Sequence, residues 1–159
     1  MPFPEFERPS PNQDSTPANE QLGVAFHHSE LGFDETIDLM LRPESKVSYH
    51  CLIAADGARC TLVGDAGIAW HAGASRFLGR ERCNDFLLGV AFAGDTYRDP
   101  LTQAQLASAL DWLAVRWVRR GWTPDRITDH RQISPGRKLD LNPAEWVRLQ
   151  SAVAARFVR

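Results

Sequence analysis

The sequence predicts a single α/β domain in which a central mixed β-sheet is flanked by helices. Segments with strand-like and helix-like patterns alternate along the chain, which is typical of this class. One antiparallel hairpin interrupts the alternation, so the sheet is expected to be mixed rather than purely parallel. Residues 85–94, "DFLLGVAFAG", are apolar nearly throughout, as in a strand buried on both faces. A chain of 159 residues is long enough for one domain with its own core.

The amino-terminal segment, "MPFPEFERPSPNQDSTPANEQ", differs in composition from the rest of the chain. It holds half of the 10 prolines, and such a composition buries little surface. We therefore divide the chain into a loose or wrapping arm over residues 1–21 and a folded domain over residues 22–159. The arm has no basic stretch followed by an apolar one, so it does not have the pattern of a secretory signal.

Charge and composition exclude several classes of partner. The formal net charge is −2, which argues against general binding to nucleic acid or to anionic membranes. No apolar run is long enough to cross a bilayer. Cys51, Cys60 and Cys83 form an odd set without an export signal, which indicates reduced thiols in the cytoplasm. We expect a monomer there.

The first half of the domain is predicted as a strand, a helix and a hairpin. Residues 22–29, "LGVAFHHS", are a buried strand that ends in His27 and His28. "GFDETIDLML" follows as a short helix capped by Asp34, with an apolar face made by Ile37, Met40 and Leu41. Strands 47–54 and 58–63 form a hairpin around the turn Asp56-Gly57, where glycine tolerates a positive φ. The Gly- and Arg-rich residues 67–84 are expected to be largely loop.

The second half is predicted to contain two longer helices. Thr102 is the expected N-cap of the main helix and Gly121 its stop, with an inner stripe of Leu106, Leu110, Leu113 and Trp117. "RITDH" is read as a short extended segment that leads into His130. The closing helix has Asn142 as its N-cap and Pro143 at its first position.

Side chains suited to a metal follow two of the predicted strands. A histidine ends the first strand, and the stretch "DHRQISPGRKLD" supplies His130, Lys138 and Asp140. Functional sites in such sheets form where loops leave the strand ends. Two histidines and an aspartate would give a zinc site with one open position, which lowers the pKa of water and polarises a carbonyl. The alternative is a solvated polar loop.

Three stretches together are similar to a known enzyme family. "VSYHCLIAADG", "AWHAGASRFLGRERCNDFLLGVAFAG" and "DHRQISPGRKLD" resemble, in this order, the zinc-dependent N-acetylmuramoyl-L-alanine amidases. That family includes the AmpD-like anhydromuropeptide amidases, phage lysozyme of the amidase type and the peptidoglycan recognition proteins. The resemblance implies hydrolysis of the amide between N-acetylmuramic acid, either intact or in its 1,6-anhydro form, and L-alanine. Muropeptides or peptidoglycan are the implied substrates, and Zn²⁺ is the implied cofactor.

The resemblance also implies roles for individual residues. It places the zinc ligands at His27, His130 and Asp140, and a catalytic lysine, which stabilises the oxyanion, at Lys138. The implied substrate contacts are His28, Lys46, Trp70 and Arg82. We expect His50, His71 and Asn84 either to line the pocket or to hold the zinc ligands in place through hydrogen bonds. Core packing is the alternative for Trp70, and Arg137 is expected to tie down its own loop.

One position departs from the AmpD-like pattern. Those amidases carry a glutamate as general base in the central strand, whereas this chain has Ala91 there, and Ala93 replaces a second acidic residue. Alanine cannot accept a proton. Tyr49 matches a catalytic tyrosine of the phage and recognition-protein amidases, which also lack the glutamate, so we interpret Tyr49 as its substitute. The alternative is a muropeptide- or peptidoglycan-binding module without catalysis.

Overall fold

The computed structural model describes residues 2–159, and Met1, the first residue of the predicted arm, lies outside the described residues. Within residues 2–159 the chain forms strands and α-helices in the order β1 (Glu5–Glu7), β2 (Gln13–Asp14), β3 (Gly23–His28), α1 (Phe33–Met40), β4 (Cys51–Ile53), β5 (Arg59–Thr61), β6 (Ile68–Ala69), β7 (Arg76–Phe77), β8 (Arg80–Glu81), β9 (Leu87–Phe92), α2 (Gln103–Arg120), β10 (Ile127–Asp129), α3 (His130–Ile133) and α4 (Pro143–Phe157). Short 3-10 turns lie at Pro43–Ser45, Cys83–Asp85 and Pro124–Arg126.

The central sheet has six strands in the order β1-β5-β4-β9-β3-β10. The four strands β4, β9, β3 and β10 run parallel, whereas β5 is antiparallel to β4 and parallel to β1. The predicted mixed sheet is therefore confirmed. In the register of the parallel strands, Ala91 of β9 lies between His27 of β3 and Leu52 of β4.

The two central strands are buried along their whole length. Every residue of β3 and of β9 is buried, as their nearly continuous apolar sequences predict. One face of the sheet packs on α2 and α4 through a core that includes Phe26, Val90 and Leu113. The opposite face packs on α1 through Ile37, Met40 and Leu52. The helices thus flank the sheet, as expected.

The main helix α2 has the predicted boundaries. The Thr102 hydroxyl accepts a hydrogen bond from the Gln105 backbone N–H, and the Gln105 side chain accepts one from the Thr102 N–H, which makes a capping box. Gly121 ends the helix with φ 64°, a left-handed conformation in which a β-carbon would be strained. Leu106, Leu113 and Trp117 are buried and Leu110 is partly buried, which confirms the predicted stripe.

The caps of the other helices agree with the sequence in one case and differ in the other. Asn142 caps α4 by accepting from the Ala144 N–H, as predicted. The residue before α1 is Gly32, which offers no side chain, so the prediction of Asp34 as its N-cap was wrong. Asp34 lies inside the first turn, where its negative charge is favoured by the positive end of the helix dipole.

The hairpin is present but shorter than predicted. β4 and β5 pair across the turn at Gly57, which has φ 91°. Residues 47–50 do not continue the strand, because the Ser48 N–H bonds to the Trp70 carbonyl instead of to the hairpin partner. The predicted loop 67–84 also contains the small strands β6, β7 and β8.

The amino-terminal arm wraps along the sheet and is not loose. Strand β1 pairs in parallel with β5, and β2 pairs antiparallel with β6. Arg59 holds Glu5 in a salt bridge of 2.8 Å, and Ser10 and Asn12 are buried. The prolines limit regular structure, yet short strands and buried polar side chains bind the arm in place. Of the two predicted forms, the wrapping one is observed.

Two further features bear on the expected environment. No helix among residues 2–159 is long and apolar enough to cross a bilayer. Cys51, Cys60 and Cys83 are all buried and unpaired.

Candidate metal centre and substrate cavity

A cavity of about 390 Å³ opens where the neighbouring strands β3 and β10 end, and residues of α1 also line it. Seven of the predicted site residues line it: His28, Tyr49, Trp70, His71, His130, Lys138 and Asp140. The loop residues Arg137 and Leu139 also line it, whereas His27, which is 1% exposed, is not part of the lining. The end of the strands is where the sequence placed the site.

The three predicted metal ligands are held by neighbouring strands. His27 is the penultimate residue of β3. His130 directly follows β10, which pairs with β3. Asp129 is fully buried and fixes both sides of the loop: its Oδ1 accepts from the Gln132 N–H and its Oδ2 from the Leu141 N–H. Asp140 is therefore held next to His130 although ten residues separate them.

The ligand atoms of His27, His130 and Asp140 converge on one point and lie within 4.8 Å of one another. The Nδ1 atoms of the two histidines are 3.0 Å apart. The Asp140 carboxylate reaches the His27 Nδ1 at 3.5 Å and the His130 Nδ1 at 3.3 Å. All three residues are buried, so few water molecules compete for these atoms.

The hydrogen-bond partners assign the tautomers of the histidines. The His71 Nε2–H donates to the Leu87 carbonyl at 3.2 Å, so its Nδ1 is left to accept from the His27 Nε2–H at 2.9 Å. The His130 Nε2–H donates to the Ala72 carbonyl at 3.0 Å. The Nδ1 lone pairs of His27 and His130 therefore both face the Asp140 carboxylate.

The electrostatics of the group favour a bound cation. Burial, and then the neighbouring His130, lower the pKa of His27 to about 4, so His27 is neutral near pH 7 and able to ligate. Burial opposes ionisation of Asp140, but the contacts with His130 and His27 hold the pKa of its carboxyl well below the usual range. A positive charge placed among buried lone pairs and a negative charge stabilises them.

These donors fit a zinc ion. Two imidazole nitrogens and one carboxylate oxygen are the protein ligands of many catalytic zinc sites, which keep a fourth position open. His27 and His130 also each donate their second ring nitrogen, to His71 and to a backbone carbonyl, as metal-ligating histidines usually do. The two histidines and the aspartate could therefore hold such an ion.

The loop that carries Asp140 also carries Lys138 and Arg137. Lys138 is exposed and lines the cavity next to His130 and Asp140. The Arg137 guanidinium instead donates to the carbonyls of Ala72 and Ala74, at 2.6 and 2.9 Å. Arg137 ties its own loop to the "AWHAG" segment, as expected, and leaves Lys138 as the cation at the cavity.

Tyr49 packs over the position of the absent glutamate. Its ring lies beside His27, with a centroid distance of 5.2 Å, and packs on the apolar cluster that contains Ala91 and Ala93. Ala91 pairs with His27 in register, so both side chains project from the same face of the sheet. Burial, and then the charges of Asp140 and Glu30, raise the pKa of the Tyr49 phenol above its usual value. The phenol is therefore a proton donor in hydrogen bonds at neutral pH.

His28 lines the cavity but points away from the ligand group. Its Nδ1 accepts from the Thr96 N–H at 3.1 Å and lies 2.7 Å from the Thr96 hydroxyl. Its Nε2 is 4.0 Å from the Glu30 carboxylate at the cavity rim. The structure thus groups His27, rather than His28, with the other two predicted ligands.

The remaining predicted substrate contacts lie along an adjoining groove. Trp70 is half-buried, borders the main cavity and extends into a second one, which Lys46 also lines. Arg82 is farther away: it is exposed, forms an ion pair with Asp85 at 3.3 Å, and lines a third, smaller cavity beside Trp70. Lys46 and Arg82 both have left-handed backbone conformations, with φ 54° and 61°.

Asn84 and His50 support the site from behind. The Asn84 side-chain oxygen accepts from the backbone N–H groups of His71 and Ala72, at 3.1 and 2.8 Å. His50 does not line the main cavity; it donates to the Gly67 carbonyl and accepts from the Gly89 N–H. His50 therefore links strands and loop, and His71 contacts a ligand directly.

Some site residues were not found from the sequence. Asp129 could have been noticed, because an aspartate just before "HRQI" is a typical helix cap. Glu30 reaches the cavity rim and has no signal of its own. Asn12 and Asp14 come from the arm, and their contacts with the pocket wall span 28 to 56 residues of sequence.

Comparison with known proteins gives a consistent result. A family model described as N-acetylmuramoyl-L-alanine amidase matches residues 17–143. The 1,6-anhydro-N-acetylmuramyl-L-alanine amidase AmpD of Salmonella typhimurium is 37% identical over 92% of this chain and 88% of AmpD. AmpD of Escherichia coli is 34% identical over 92% of this chain and 90% of AmpD.

Solved structures share the fold. The crystal structure of a selenomethionine AmpD derivative superimposes with a TM-score of 0.78 at 31% identity and covers 94% of each chain. The amidase AmiD of E. coli, solved with anhydro-N-acetylmuramic acid-L-Ala-D-γ-Glu-L-Lys, superimposes with a TM-score of 0.73. At 23% identity, over 88% of this chain and 60% of AmiD, that likeness concerns the fold alone.

Proposed function

This chain belongs to the N-acetylmuramoyl-L-alanine amidase family, and we propose that it is a zinc hydrolase that cleaves the amide between N-acetylmuramic acid and L-alanine in muropeptides. The observation that carries the proposal is the convergence of His27, His130 and Asp140 within 4.8 Å, beside an open cavity that His130 and Asp140 line. A structural zinc ion is usually held by four protein ligands, whereas a set of three would leave one ligand position for water or substrate.

The three ligand residues would hold the ion, and His71 and Ala72 would orient the two imidazoles. When bound, zinc lowers the pKa of a water molecule in the open position and polarises a carbonyl oxygen. The protein supplies a neutral His27 and an ionised Asp140 near pH 7, so no proton has to be displaced from these two ligands before they bind the ion.

Hydrolysis adds the oxygen of a water molecule to the lactyl carbonyl carbon, breaks the C–N bond, and releases the alanine nitrogen with a proton. Negative charge develops on the carbonyl oxygen in the transition state. Lys138 lines the cavity, as Asp140 does, and its ammonium group would stabilise that charge. We assign Lys138 this role.

Tyr49 is the residue we assign to the place of the missing glutamate. Its phenol stays protonated at neutral pH, so it acts as a hydrogen-bond donor to substrate oxygen or as an orienting group for water, rather than as a strong base. Ala91 leaves the space beside His27 that the ring of Tyr49 covers. Proton removal from water would then depend mainly on the metal.

The relatives and the cavity support a muropeptide as substrate. The AmpD relatives are named for the 1,6-anhydro form, which we propose here as well. Trp70 offers an aromatic face for a sugar or peptide, and Lys46 and Arg82 offer cations for the carboxylates of the stem peptide. His28 would donate from Nε2. We further propose that the protein acts as a monomer in the cytoplasm.

A module that binds but does not cleave is the weaker alternative. The AmpD and AmiD relatives are named as amidases, and the ligand set and Lys138 are all present here. Loss of the glutamate at Ala91 is the feature that would favour such a module, and Tyr49 compensates for it in our proposal.

The test is incubation of zinc-loaded protein with anhydro-N-acetylmuramyl-L-Ala-D-γ-Glu-L-Lys, followed by mass spectrometry. We expect two products, the free tripeptide and the anhydromuramic acid, in equal amounts. His130→Ala should bind little zinc and release neither product. Tight binding by the wild type without any cleavage would overturn the assignment as an enzyme, and cleavage at another bond would overturn the proposed specificity.

A further inference from the structure

The amino-terminal arm contributes a buried asparagine to the wall of the cavity. Asn12 is 1% exposed, and its amide nitrogen lies between 3.0 and 3.2 Å from the carbonyl oxygens of Met40, Arg42 and Val47. The same nitrogen is 3.1 Å from the Ser45 hydroxyl. One side chain of the arm thus gathers the loop between α1 and β4 into a closed bend. That loop carries Lys46 and leads directly into Tyr49.

A second set of contacts joins the arm to Trp70. The Ser48 hydroxyl donates to the Asn12 carbonyl and accepts from the Trp70 N–H at 2.9 Å, and the Ser48 N–H bonds to the Trp70 carbonyl at 3.0 Å. The Trp70 indole N–H donates to the Asp14 carboxylate at 3.0 Å. Backbone and ring of Trp70 are both fixed through residues of the arm.

We propose that Asn12 and Asp14 are positioning residues for the substrate cavity, with Asp14 fixing the Trp70 ring and Asn12 fixing the loop that carries Lys46. This inference rests on the proposed function and deepens it, because it identifies what sets the shape of the muropeptide-binding wall. The match to the amidase family model begins at residue 17, so that match assigns no role to either residue.

The placement of Asp14 supports this role. Its carboxylate is exposed and borders the small cavity that Trp70 and Arg82 also line. Trp70 separates this cavity from the groove that Lys46 and Lys138 line. A negative charge there opposes the binding of an acidic peptide, so its charge alone would not favour the substrate. Its hydrogen bond does favour binding, because a half-buried indole held in one orientation loses less conformational freedom when a ligand packs on it.

Asn12 is a poor test by itself, because its removal leaves several buried carbonyl oxygens without a donor and can unfold the chain. Asp14 is exposed, so its variants should fold. Asp14→Ala removes the acceptor, whereas Asp14→Asn removes the charge and keeps an acceptor oxygen. Glu7→Ala removes an exposed carboxylate from β1 of the same arm and is the matched control.

We expect Asp14→Ala to raise KM for anhydro-N-acetylmuramyl-L-Ala-D-γ-Glu-L-Lys about three- to tenfold, the effect of one hydrogen bond, with kcat and zinc content unchanged. Asp14→Asn and Glu7→Ala should keep the wild-type KM within about twofold. The indole N–H resonance of Trp70, assigned with Trp70→Phe, should shift in Asp14→Ala and remain near its place in Asp14→Asn.

The outcomes separate this inference from the proposed function. An unchanged KM in Asp14→Ala, with an active wild type, overturns the positioning role and leaves the amidase intact. Equal changes in Asp14→Ala and Asp14→Asn also overturn it, since they would trace the effect to charge. A wild type that neither binds nor cleaves the muropeptide overturns both.

Discussion

The Nδ1 atom of His71 accepts a hydrogen bond from the Nε2–H group of His27 at a distance of 2.9 Å. This contact depends on a glycine in the central strand, because a β-carbon at Gly89 would lie 2.4 Å from the His71 ring. The ring occupies that space and donates its own Nε2–H to Leu87. Because Gly89 leaves room for the His71 ring, His71 can accept from the Nε2–H of His27. The Nδ1 atom of His27 is then free for a metal.

The first prediction follows from this contact. His71→Leu removes the acceptor for the His27 Nε2–H, so the wrong tautomer and ring orientations become accessible to His27. We expect the affinity for zinc to fall about 10- to 100-fold, as for other partners of metal-ligating histidines. The measurement is competition with a chromophoric chelator near pH 7.

His28→Asn is the matched control, because His28 is the neighbour of His27 and points away from the ligand group. It should bind zinc as the wild type does, whereas His27→Ala should lose most of it. If His71→Leu bound zinc normally, orientation by His71 would have no energetic role. If His28→Asn lost zinc and His27→Ala did not, the choice of ligand within the pair would be wrong.

The second prediction concerns acid stability. Burial lowers the pKa of His50 from 6.5 to about 4, although the hydrogen bond that its ring donates to the Gly67 carbonyl acts in the opposite direction. The unfolded chain then binds more protons than the folded one between these values, so His50 stabilises the fold above pH 6.5 and loses that contribution as the pH falls toward 4. For this one group the free energy of unfolding should fall by about 2 kcal/mol between pH 7 and pH 5.

Urea unfolding at both pH values measures this effect. A chelator is added to remove zinc, because zinc binding would add its own pH dependence to the free energy of unfolding. His50→Asn can keep a donor and an acceptor but does not titrate, so its loss between pH 7 and pH 5 should be smaller than that of the wild type by about the same 2 kcal/mol. Burial also lowers the pKa values of His27 and His71, so the free energy of unfolding of both proteins keeps some dependence on pH. Parallel curves for the two proteins would refute the role of His50.

The third prediction concerns the thiols. Cys60 pairs in register with Leu52 and belongs to the apolar cluster between the sheet and α1. Cys51 belongs to the core between the sheet and α2. The two cysteines therefore project from opposite faces of the sheet and cannot form a disulfide without a change of register. Burial also raises the pKa of the Cys60 thiol to about 11, which slows its reaction with thiol reagents.

We expect slow labelling of the native protein and three reactive thiols after denaturation without reductant. This holds in reducing and in oxidising surroundings, so the geometry gives a reason for free thiols that is independent of the compartment. A disulfide between Cys51 and Cys60 in folded protein would show that the strand register is wrong.

Most of the fold was predictable because its signals are local. The buried strands β3 and β9 are continuous apolar runs, and Thr102, Gly121, Asn142 and Pro143 mark helix ends by their own backbone chemistry. The first turn of α1 was mispredicted because Gly32 begins the helix without a side-chain cap, which leaves no local mark. The sequence leaves open whether the arm is loose or wrapping, because its prolines are visible in the sequence and its long-range partners are not.

The site was partly predictable for the same reason. His130, Lys138 and Asp140 lie within one stretch, and His27 ends a recognisable strand. The contact of Trp70 with Asp14 joins residues 56 positions apart, and the support of His71 by Gly89 requires the approach of a loop to a strand. Such relationships depend on tertiary packing, which no pattern in a single sequence specifies.

The fourth prediction concerns Tyr49. Tyr49→Phe keeps the ring that packs on Ala91 and removes only the hydroxyl, so stability and zinc content should hardly change. If the phenol orients water or donates to the substrate, the rate should fall about 10²- to 10⁴-fold, as for a general acid–base group. The measurement is the initial rate on an anhydromuropeptide at matched zinc occupancy.

Tyr97→Phe is the matched control, because its hydroxyl donates to the Leu139 carbonyl at the rim and the change is chemically identical. It should lose far less activity than Tyr49→Phe.

The double variant Tyr49→Phe/Ala91→Glu tests whether Tyr49 replaces the glutamate. A carboxylate restored beside His27 should recover part of the lost rate, provided that it fits under the ring. Equal rates for Tyr49→Phe and the wild type would remove the phenol from the mechanism and leave the metal and Lys138 as its catalysts. A recovery by Ala91→Glu after a real loss in Tyr49→Phe would indicate that tyrosine and glutamate are two solutions to one chemical requirement at this end of the sheet.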